Sequence, residues 1–250
     1  MKSWMRAVAM FVIAVLMATS AQAEEIRLVS SVAAKAVIEA LLPAFQQSTK
    51  HTVTPVFGIA AELKTKVESG EPFDVAILTA PLLDDLIAKG VVDKTSRSVV
   101  ARSGLGFMIK AGAPKPDVSS VAAFQRTLRA ARSITYVPTG ASGIAFVATL
   151  EKLGLAEALK ARTKTAASGD EVNANITTGA VELAILPVSE ILPVRGAELG
   201  GVFPAEIQSY VVMTAGVNPK SPRAAAAREL VTFLMAAKNT PTIQSKGMER

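Results

Sequence analysis

Gly70-Glu71-Pro72-Phe73-Asp74-Val75-Ala76-Ile77-Leu78 and Gly179-Ala180-Val181-Glu182-Leu183-Ala184-Ile185-Leu186 are two stretches of this sequence that follow one pattern. In each, a glycine ends an amphipathic helix and a short apolar strand comes next. The repetition predicts an α/β protein of two lobes built on the same plan. Two such lobes imply a cleft between them.

The amino terminus has the composition of a secretion signal. Lys2 and Arg6 form a basic start, residues 7–18 are almost wholly apolar, and Ala21-Gln22-Ala23 fits the small-x-small pattern of a signal peptidase site. This apolar segment is shorter than the ~20 residues that span a bilayer, which disfavours a membrane anchor. We therefore expect residues 1–23 to be a signal peptide, cleaved near Ala23, and the mature chain to be periplasmic.

The composition limits the class of function. The formal net charge of +6 falls to +4 when the two basic residues of the signal peptide are removed. Such a mild, scattered excess favours small anions but not nucleic acid, whose partners carry a clustered basic stripe. The sequence has no cysteine and a single histidine, His51. This excludes a disulfide framework and a thiolate metal site, and we expect no metal and no cofactor.

Strand and helix patterns alternate along the mature chain, which predicts a parallel or largely parallel α/β sheet. The first strand is expected at residues 26–29, and an Ala-rich final helix at residues 222–238. The other predicted strands are residues 51–57, 74–78, one ending near 109, 134–137, one near 163, 182–186 and 208–217; the other predicted helices are residues 32–47, 62–69, 82–89, 119–131, 144–153 and 170–178.

The chain is expected to change lobe after Val100, where Gly104 and Gly106 flank an apolar strand. The final helix is expected to return to the first lobe, which makes that lobe discontinuous. We assign residues 24–102 plus 212–250 to lobe 1 and residues 103–211 to lobe 2. Two or more crossings between lobes are usual for a hinged cleft.

Three turns between a strand and a helix, at residues 30–32, 57–61 and 138–143, predict the ligand site. In α/β proteins, ligands bind at the carboxyl ends of parallel strands, where helix amino termini offer unpaired N–H groups. Small residues let backbone amides approach a ligand, and hydroxyls add neutral donors. Asn173, near the start of a later helix, is a further polar candidate. The residues expected at the ligand from the three turns are Ser30, Ser31, Gly58, Ala60, Thr139, Ser142 and Gly143.

Each candidate also has a structural interpretation. Ser31 is a preferred helix-capping residue, and Gly58 and Gly143 also suit turn geometry alone. The segment Asp170-Glu171-Val172-Asn173 is most simply a capped helix start.

The order of these motifs resembles the molybdate-type periplasmic substrate-binding proteins of ABC importers over the whole mature chain. The resemblance implies a two-lobe type II periplasmic-binding-protein fold, hinged closure around one ligand and delivery to an ABC permease in the inner membrane. We expect the protein to be a monomer without catalysis. The motifs are the signal peptide, Ile26-Arg27-Leu28-Val29-Ser30-Ser31, Pro55-Val56-Phe57-Gly58, Gly70-Glu71-Pro72-Phe73-Asp74-Val75, Pro138-Thr139-Gly140-Ala141-Ser142-Gly143 and Ser189-Glu190.

The ligand site departs from that family. Its Ala-Ala-Ser-Leu run is replaced by Ser30-Ser31-Val32-Ala33, its serine-rich second turn by Ile59-Ala60-Ala61, and a tyrosine of the late strand by Leu186. The third turn is retained. The resemblance implies that Ser142 and Gly143 of this turn stand at the family's backbone amide contact, and that Val172 matches the family's other backbone donor.

Fewer hydroxyl donors weaken the binding of a bare oxyanion. The ligand is therefore expected to be a small anion, either a molybdate-like oxyanion or a small organic acid with an apolar part. Lys35 is a candidate partner for a carboxylate of the ligand, or a solvated surface lysine.

Two other functions stay open at this point. A sensor or adaptor that reports a ligand to a membrane partner needs the same cleft, so the residues do not separate it from an importer. A secreted hydrolase is the more remote alternative, because His51 has no Gly-x-Ser-x-Gly partner in the sequence. We therefore expect a binding protein and not an enzyme.

Overall fold

The computed structural model describes residues 23–250. The expected signal peptide, apart from its last residue, lies outside this range. In the described part of the chain, no helix is both long and apolar enough to cross a bilayer.

The described chain alternates strands and helices, as the pattern predicts. The strands are β1 (Glu25–Ser31), β2 (Thr52–Gly58), β3 (Val75–Thr79), β4 (Ser98–Lys110), β5 (Ile134–Tyr136), β6 (Thr163–Thr165), β7 (Leu183–Pro187), β8 (Ala197–Val202) and β9 (Tyr210–Val217). The α-helices are α1 (Lys35–Thr49), α2 (Ala60–Glu68), α3 (Ala80–Ala88), α4 (Val121–Ala130), α5 (Ala141–Lys152), α6 (Ala156–Lys160), α7 (Gly169–Thr178), α8 (Val188–Ile191), α9 (Ala224–Met235) and α10 (Thr240–Ser245).

The strands form two sheets that share β4. The first sheet has the order β2-β1-β3-β9-β4, and the second continues as β4-β7-β5-β6, with β8 also paired to β4. Residues 98–104 of β4 pair with β9, whereas residues from Leu105 onward pair with β7. The partner changes between Gly104 and Leu105, so one strand joins the two lobes. The boundaries at 102/103 and 211/212 stay a proposal, which this change of partner supports.

The sheets are mixed, and the prediction of a largely parallel sheet is wrong for β4, β8 and β9. Parallel pairing holds between β1 and β2, β1 and β3, β5 and β6, and β5 and β7. The chain leaves the first sheet along β4 and returns to it along β9. Strands that leave and return side by side are antiparallel.

Several helices begin earlier than their periodicity predicts, which shortens the turns before them. Helix α5 begins at Ala141, with Gly140 as its N-cap, and α3 begins at Ala80. The short elements α6, α8, β8 and α10 were not predicted, because four to six residues do not establish a period. The helix predicted at residues 222–238 is α9. It packs against α1, and the ring centres of Phe45 and Phe233 lie 5.4 Å apart.

The side-chain amide of Gln208 joins the two crossings between the lobes. Its Oε1 accepts from the backbone N–H of Leu105 at 2.8 Å and of Ser209 at 2.9 Å. Its Nε2 donates to the carbonyls of Leu105 at 3.1 Å and Phe203 at 3.3 Å. The amide thus pairs the N–H of Ser209 and the carbonyl of Phe203, and it adds to the backbone bonds that Leu105 makes with the same two residues.

We predict that Gln208→Ala lowers the free energy of unfolding by about 1–3 kcal/mol, because the N–H of Ser209 and the carbonyl of Phe203 lose their hydrogen-bond partner. Urea denaturation followed by circular dichroism measures the change. The control is Gln244→Ala, since Gln244 is exposed and its side chain makes no hydrogen bond within residues 23–250. An equal loss in both variants contradicts the assigned role of Gln208.

Candidate functional site

A cavity of about 620 Å³ opens where the two sheets meet. One wall comes from the first lobe and contains Ser31, Ala60 and Pro81. The facing wall comes from the second lobe and contains Ser142 and Leu186. Tyr210, Val211 and Val212 of β9 also line the cavity, next to the point where β4 changes partners.

Four helices begin at this cavity. The first residues of α2, α3, α5 and α7 line it, among them Ala60, Ala80, Ala141 and Gly169. Each follows a strand or strand end, as the rule for ligand sites in α/β folds requires. Helix amino termini carry partial positive charge, so their convergence creates a favourable potential for an anion.

The backbone N–H groups at the starts of α5 and α2 are available to a ligand, whereas Ser168 caps α7 by accepting from the N–H of Glu171 at 3.3 Å. Within residues 23–250, the N–H groups of Ala141, Ser142 and Gly143 have no protein acceptor, and the first intrahelical bond runs from Ile144 to Gly140 at 3.0 Å. Helix α2 resembles α5 in this respect, because the side chain of its N-cap residue, Ile59, makes no hydrogen bond to the N–H groups of the first turn. Such donors bind an anion without a basic side chain.

A close approach of two backbone segments shapes the start of α5. A Cβ atom built on Gly143 would lie 2.0 Å from the carbonyl oxygen of Val137. The same oxygen accepts from the N–H of Gly140 at 3.1 Å. Glycine at position 143 therefore lets the first turn of α5 fold back on the preceding loop.

Five of the positions singled out from the sequence line the cavity: Ser31, Ala60, Thr139, Ser142 and Leu186. The hydroxyl of Ser31 also accepts from the N–H of Ala33 at 3.4 Å, which is the capping role. Ser142 is buried in the first turn of α5.

Five other predicted site residues do not line the cavity. Ser30 is buried, and its hydroxyl donates to the carbonyl of Ser31 at 3.2 Å. Val172 lies in an apolar cluster of the second lobe. The remaining three, Gly58, Gly143 and Asn173, lie next to lining segments or on α7 without contributing to the surface of the cavity.

Lys35 does not line the cavity either. Its ammonium group lies 3.9 Å from Glu39 and 5.6 Å from the centre of the Phe57 ring, and the side chain is about half exposed. The structure therefore places it as a surface lysine.

Sequence reasoning missed three parts of the lining. Thr79, Ala80, Pro81 and Leu82 follow the carboxyl end of β3, where the strand-end rule applies as it does to the other turns. The β9 segment had no local signal, because its place depends on the crossing between lobes. The third part is Glu190 on α8, which directly follows the apolar strand β7.

In the part of the chain that the structure describes, Glu190 is the one charged residue that lines the cavity, and no lysine or arginine does so. Its surroundings in the cavity include Leu186 and Pro187. Burial raises the pKa of Glu190 to about 7, because the apolar surroundings disfavour the ionised form. The carboxyl group therefore keeps its proton to a higher pH than an exposed glutamate does.

The structure does not assemble a serine hydrolase site. His51 is buried on the first lobe, where its Nδ1 accepts from the N–H of Glu24 at 3.1 Å and its Nε2 lies 3.3 Å from Glu229. It is not a lining residue, whereas Ser142 is. No described group of three or more histidine or acidic residues is arranged to hold a metal ion.

Comparison with known proteins gives a consistent family. The model of the family described as bacterial extracellular solute-binding protein matches residues 26–249. An aconitate isomerase of a Pseudomonas species is 28% identical over 218 residues, with 85% of this chain and 82% of that protein covered. Molybdate-binding protein ModA of Azotobacter vinelandii is 26% identical over 236 residues, covering 93% and 92% of the two chains.

A solved structure shows the same fold. The periplasmic molybdate-binding protein of Azotobacter vinelandii superposes with a TM-score of 0.76 at 20% identity, over 90% of this chain and 99% of that one. The two-lobe α/β fold predicted from the sequence is thereby confirmed.

We predict that Gly143→Ala displaces the first turn of α5, because the added methyl group would overlap the carbonyl of Val137. Overpacking of this kind costs about 1–3 kcal/mol of unfolding free energy. Gly169→Ala is the matched control in the first turn of α7, since its Cβ would lie 3.7 Å from the nearest atom. Thermal unfolding compares the two variants. If Gly143→Ala and Gly169→Ala have the same melting temperature, the close approach does not constrain α5.

Proposed function

The chain belongs to the family of bacterial extracellular solute-binding proteins, and we propose that it captures a small organic anion in the cleft between its lobes. In this proposal the mature protein starts after Ala23, works in the periplasm as a monomer and delivers its ligand to an ABC permease. It binds the ligand and leaves it chemically unchanged.

The convergence of helix amino termini on one cavity carries the proposal. Ala60, Ala80, Ala141 and Gly169 stand at the starts of four helices that line it. An anion held by backbone N–H groups gains charge-assisted hydrogen bonds. Because no basic side chain has to be desolvated or released, such a site suits reversible capture and delivery.

The rest of the lining favours an organic anion over a bare oxyanion. Of the 24 lining residues, 16 are alanine, valine, leucine, isoleucine or proline. Ile144 is 61% exposed and faces this cavity. A volume of about 620 Å³ lies within the roughly 300–1,000 Å³ of sites for small organic ligands. A tetrahedral oxyanion of five heavy atoms would occupy only a small part of it.

The names of the two relatives include both kinds of anion, an oxyanion and an organic acid. One is named for molybdate and the other for aconitate, an organic acid. The apolar residues at the second turn, Ile59, Ala60 and Ala61, match the organic part of a carboxylic acid better than an oxyanion that needs a donor at every oxygen. A sensor for the same anion would use the same cleft. A permease and an ATPase encoded beside this protein would favour import, and a histidine kinase would favour sensing.

A second candidate function is the interconversion of aconitate isomers. Two observations favour it, the 28% identity to an aconitate isomerase and the single carboxyl group of Glu190 in the cavity. A group whose pKa lies near 7 can both accept and return a proton at neutral pH. In such a reaction Glu190 would take a proton from one carbon of the substrate and a proton would return to another, without net oxidation.

We predict that at least one of the organic acids trans-aconitate, citrate and malate raises the melting temperature of the mature protein. Molybdate, tungstate and sulfate should raise it less. A ligand at 100 times its dissociation constant adds about 2.7 kcal/mol. Ala141→Asp is expected to weaken binding tenfold or more, since its carboxylate occupies the start of α5 and repels the ligand.

The control for this variant is Ala148→Asp, the same substitution at an exposed position on the same helix. It should bind like the unmodified protein. A protein that none of the six anions stabilises refutes the proposal, and preferential stabilisation by molybdate or tungstate refutes its organic part.

Incubation of the purified mature protein with cis- or trans-aconitate, followed by proton NMR, separates the two functions. We expect binding without interconversion. Interconversion that is lost in Glu190→Gln would instead establish the second candidate.

A further inference from the structure

Glu190 stands where a ligand anion would be bound. It lies on α8, immediately after the carboxyl end of β7, and it lines the cavity together with the helix starts. Its Oε2 lies 3.7 Å from the position of a Cβ on Gly169, the first residue of α7. The carboxyl group is therefore among the same helix termini that attract the anion.

The turn that carries Glu190 is held in place from both lobes. The N–H of Ser189 donates to the hydroxyl of Ser103 at 3.1 Å, and the hydroxyl of Ser189 donates to the carbonyl of Ala33 at 2.8 Å. Ser103 also donates to the carbonyl of Gly247 at 2.9 Å. The turn next to Glu190 is thus anchored by hydrogen bonds of its chain neighbour Ser189.

No cation neutralises this carboxyl group among the described residues. Helix α8 packs against β4, β7, β8 and the short helical turn at residues 32–34, and the carboxyl terminus reaches it at Gly247. None of the charged or titratable residues on or beside these elements is paired with Glu190. They are Lys35, Arg97, Arg102, Lys110, Asp170, Glu171, Glu182, Arg195, Glu198, Tyr210, Lys246, Glu249 and Arg250.

An ionised Glu190 would oppose the function of the site. Two like charges in close contact repel each other strongly where water does not separate them. A neutral carboxylic acid instead offers an O–H donor, and a hydrogen bond from it to an anionic oxygen is of the strong, charge-assisted kind. The apolar lining already favours the neutral form before any anion arrives.

We propose that Glu190 is a specificity-determining residue that carries a proton in the liganded protein and donates it in a hydrogen bond to an anionic oxygen of the ligand. Capture of the anion then takes up a proton from solution onto Glu190, and release returns it. This inference rests on the proposed function, since it requires an anion in the cleft. It defines the ligand class further: a fully ionised acid with an acceptor oxygen facing α8.

The measurement is calorimetric titration of the mature protein with trans-aconitate, and separately with molybdate, at pH 7.5 in two buffers of different ionisation enthalpy. The dependence of the heat on the buffer gives the number of protons bound. We expect uptake of about 0.5–1 proton, and an affinity that falls by up to about tenfold for each pH unit above 7.

The variant that tests the role of Glu190 is Glu190→Gln, whose amide donates a hydrogen bond at every pH. We expect binding without proton uptake and a flat affinity between pH 6 and 8.5. Without ligand, the raised pKa makes the native state bind more protons than the unfolded state between pH 4.5 and about 7, so its stability falls as pH rises through this window. Glu190→Gln should remove that fall.

Glu157→Gln is the control, because Glu157 is exposed on α6 and makes no described ion pair. It should behave like the unmodified protein in each measurement. Binding of either anion without proton uptake, or with the same pH profile in Glu190→Gln, overturns this inference and leaves the proposed function standing. Absence of binding by both probes and by the other anions named above overturns the proposed function, and this inference with it.

Discussion

A single strand, β4, carries the hydrogen bonding of both sheets, and the cleft exists because of it. Its first half completes the sheet of one lobe through β9, and its second half begins the sheet of the other through β7 and β8. Backbone groups at the change of partner must still be paired. Backbone bonds of Leu105 to Ser209 and Phe203 meet part of this requirement, and the amide of Gln208 adds bonds to the same three residues. Helices that start at strand ends on either side of β4 then face one another across the cavity.

In the proposed function, the site uses backbone dipoles where many anion sites use basic side chains. Helices α2, α3, α5 and α7 present their first residues to one cavity. A side chain such as Lys35 stays on the surface beside Glu39. Donors of this kind are preorganised and neutral, so a ligand is held without a fixed countercharge. In such a site the proton on Glu190 has a large effect, because it decides whether the lining has a net negative charge.

Much of the site could be predicted from the ends of strands. Ser31, Ala60, Thr139 and Ser142 were expected at the ligand because each follows an apolar strand and stands near the start of a helix, and all four line the cavity. The same rule would have found the residues after β3 and Glu190 after β7. It could not have excluded Val172 or Ser30, because whether a side chain faces a cavity or a core depends on what packs against it.

The sequence by itself determined the alternation of strands and helices, the small residues at their junctions and the repetition of one plan in two halves. These are local properties, since periodicity and turn chemistry depend on neighbouring residues. Only the tertiary structure decided that β4 pairs in two sheets, that β9 runs antiparallel to it and that Tyr210 reaches the cavity. The pairing of strands is a choice among distant partners, and the ionisation of Glu190 follows from its surroundings once that choice is made.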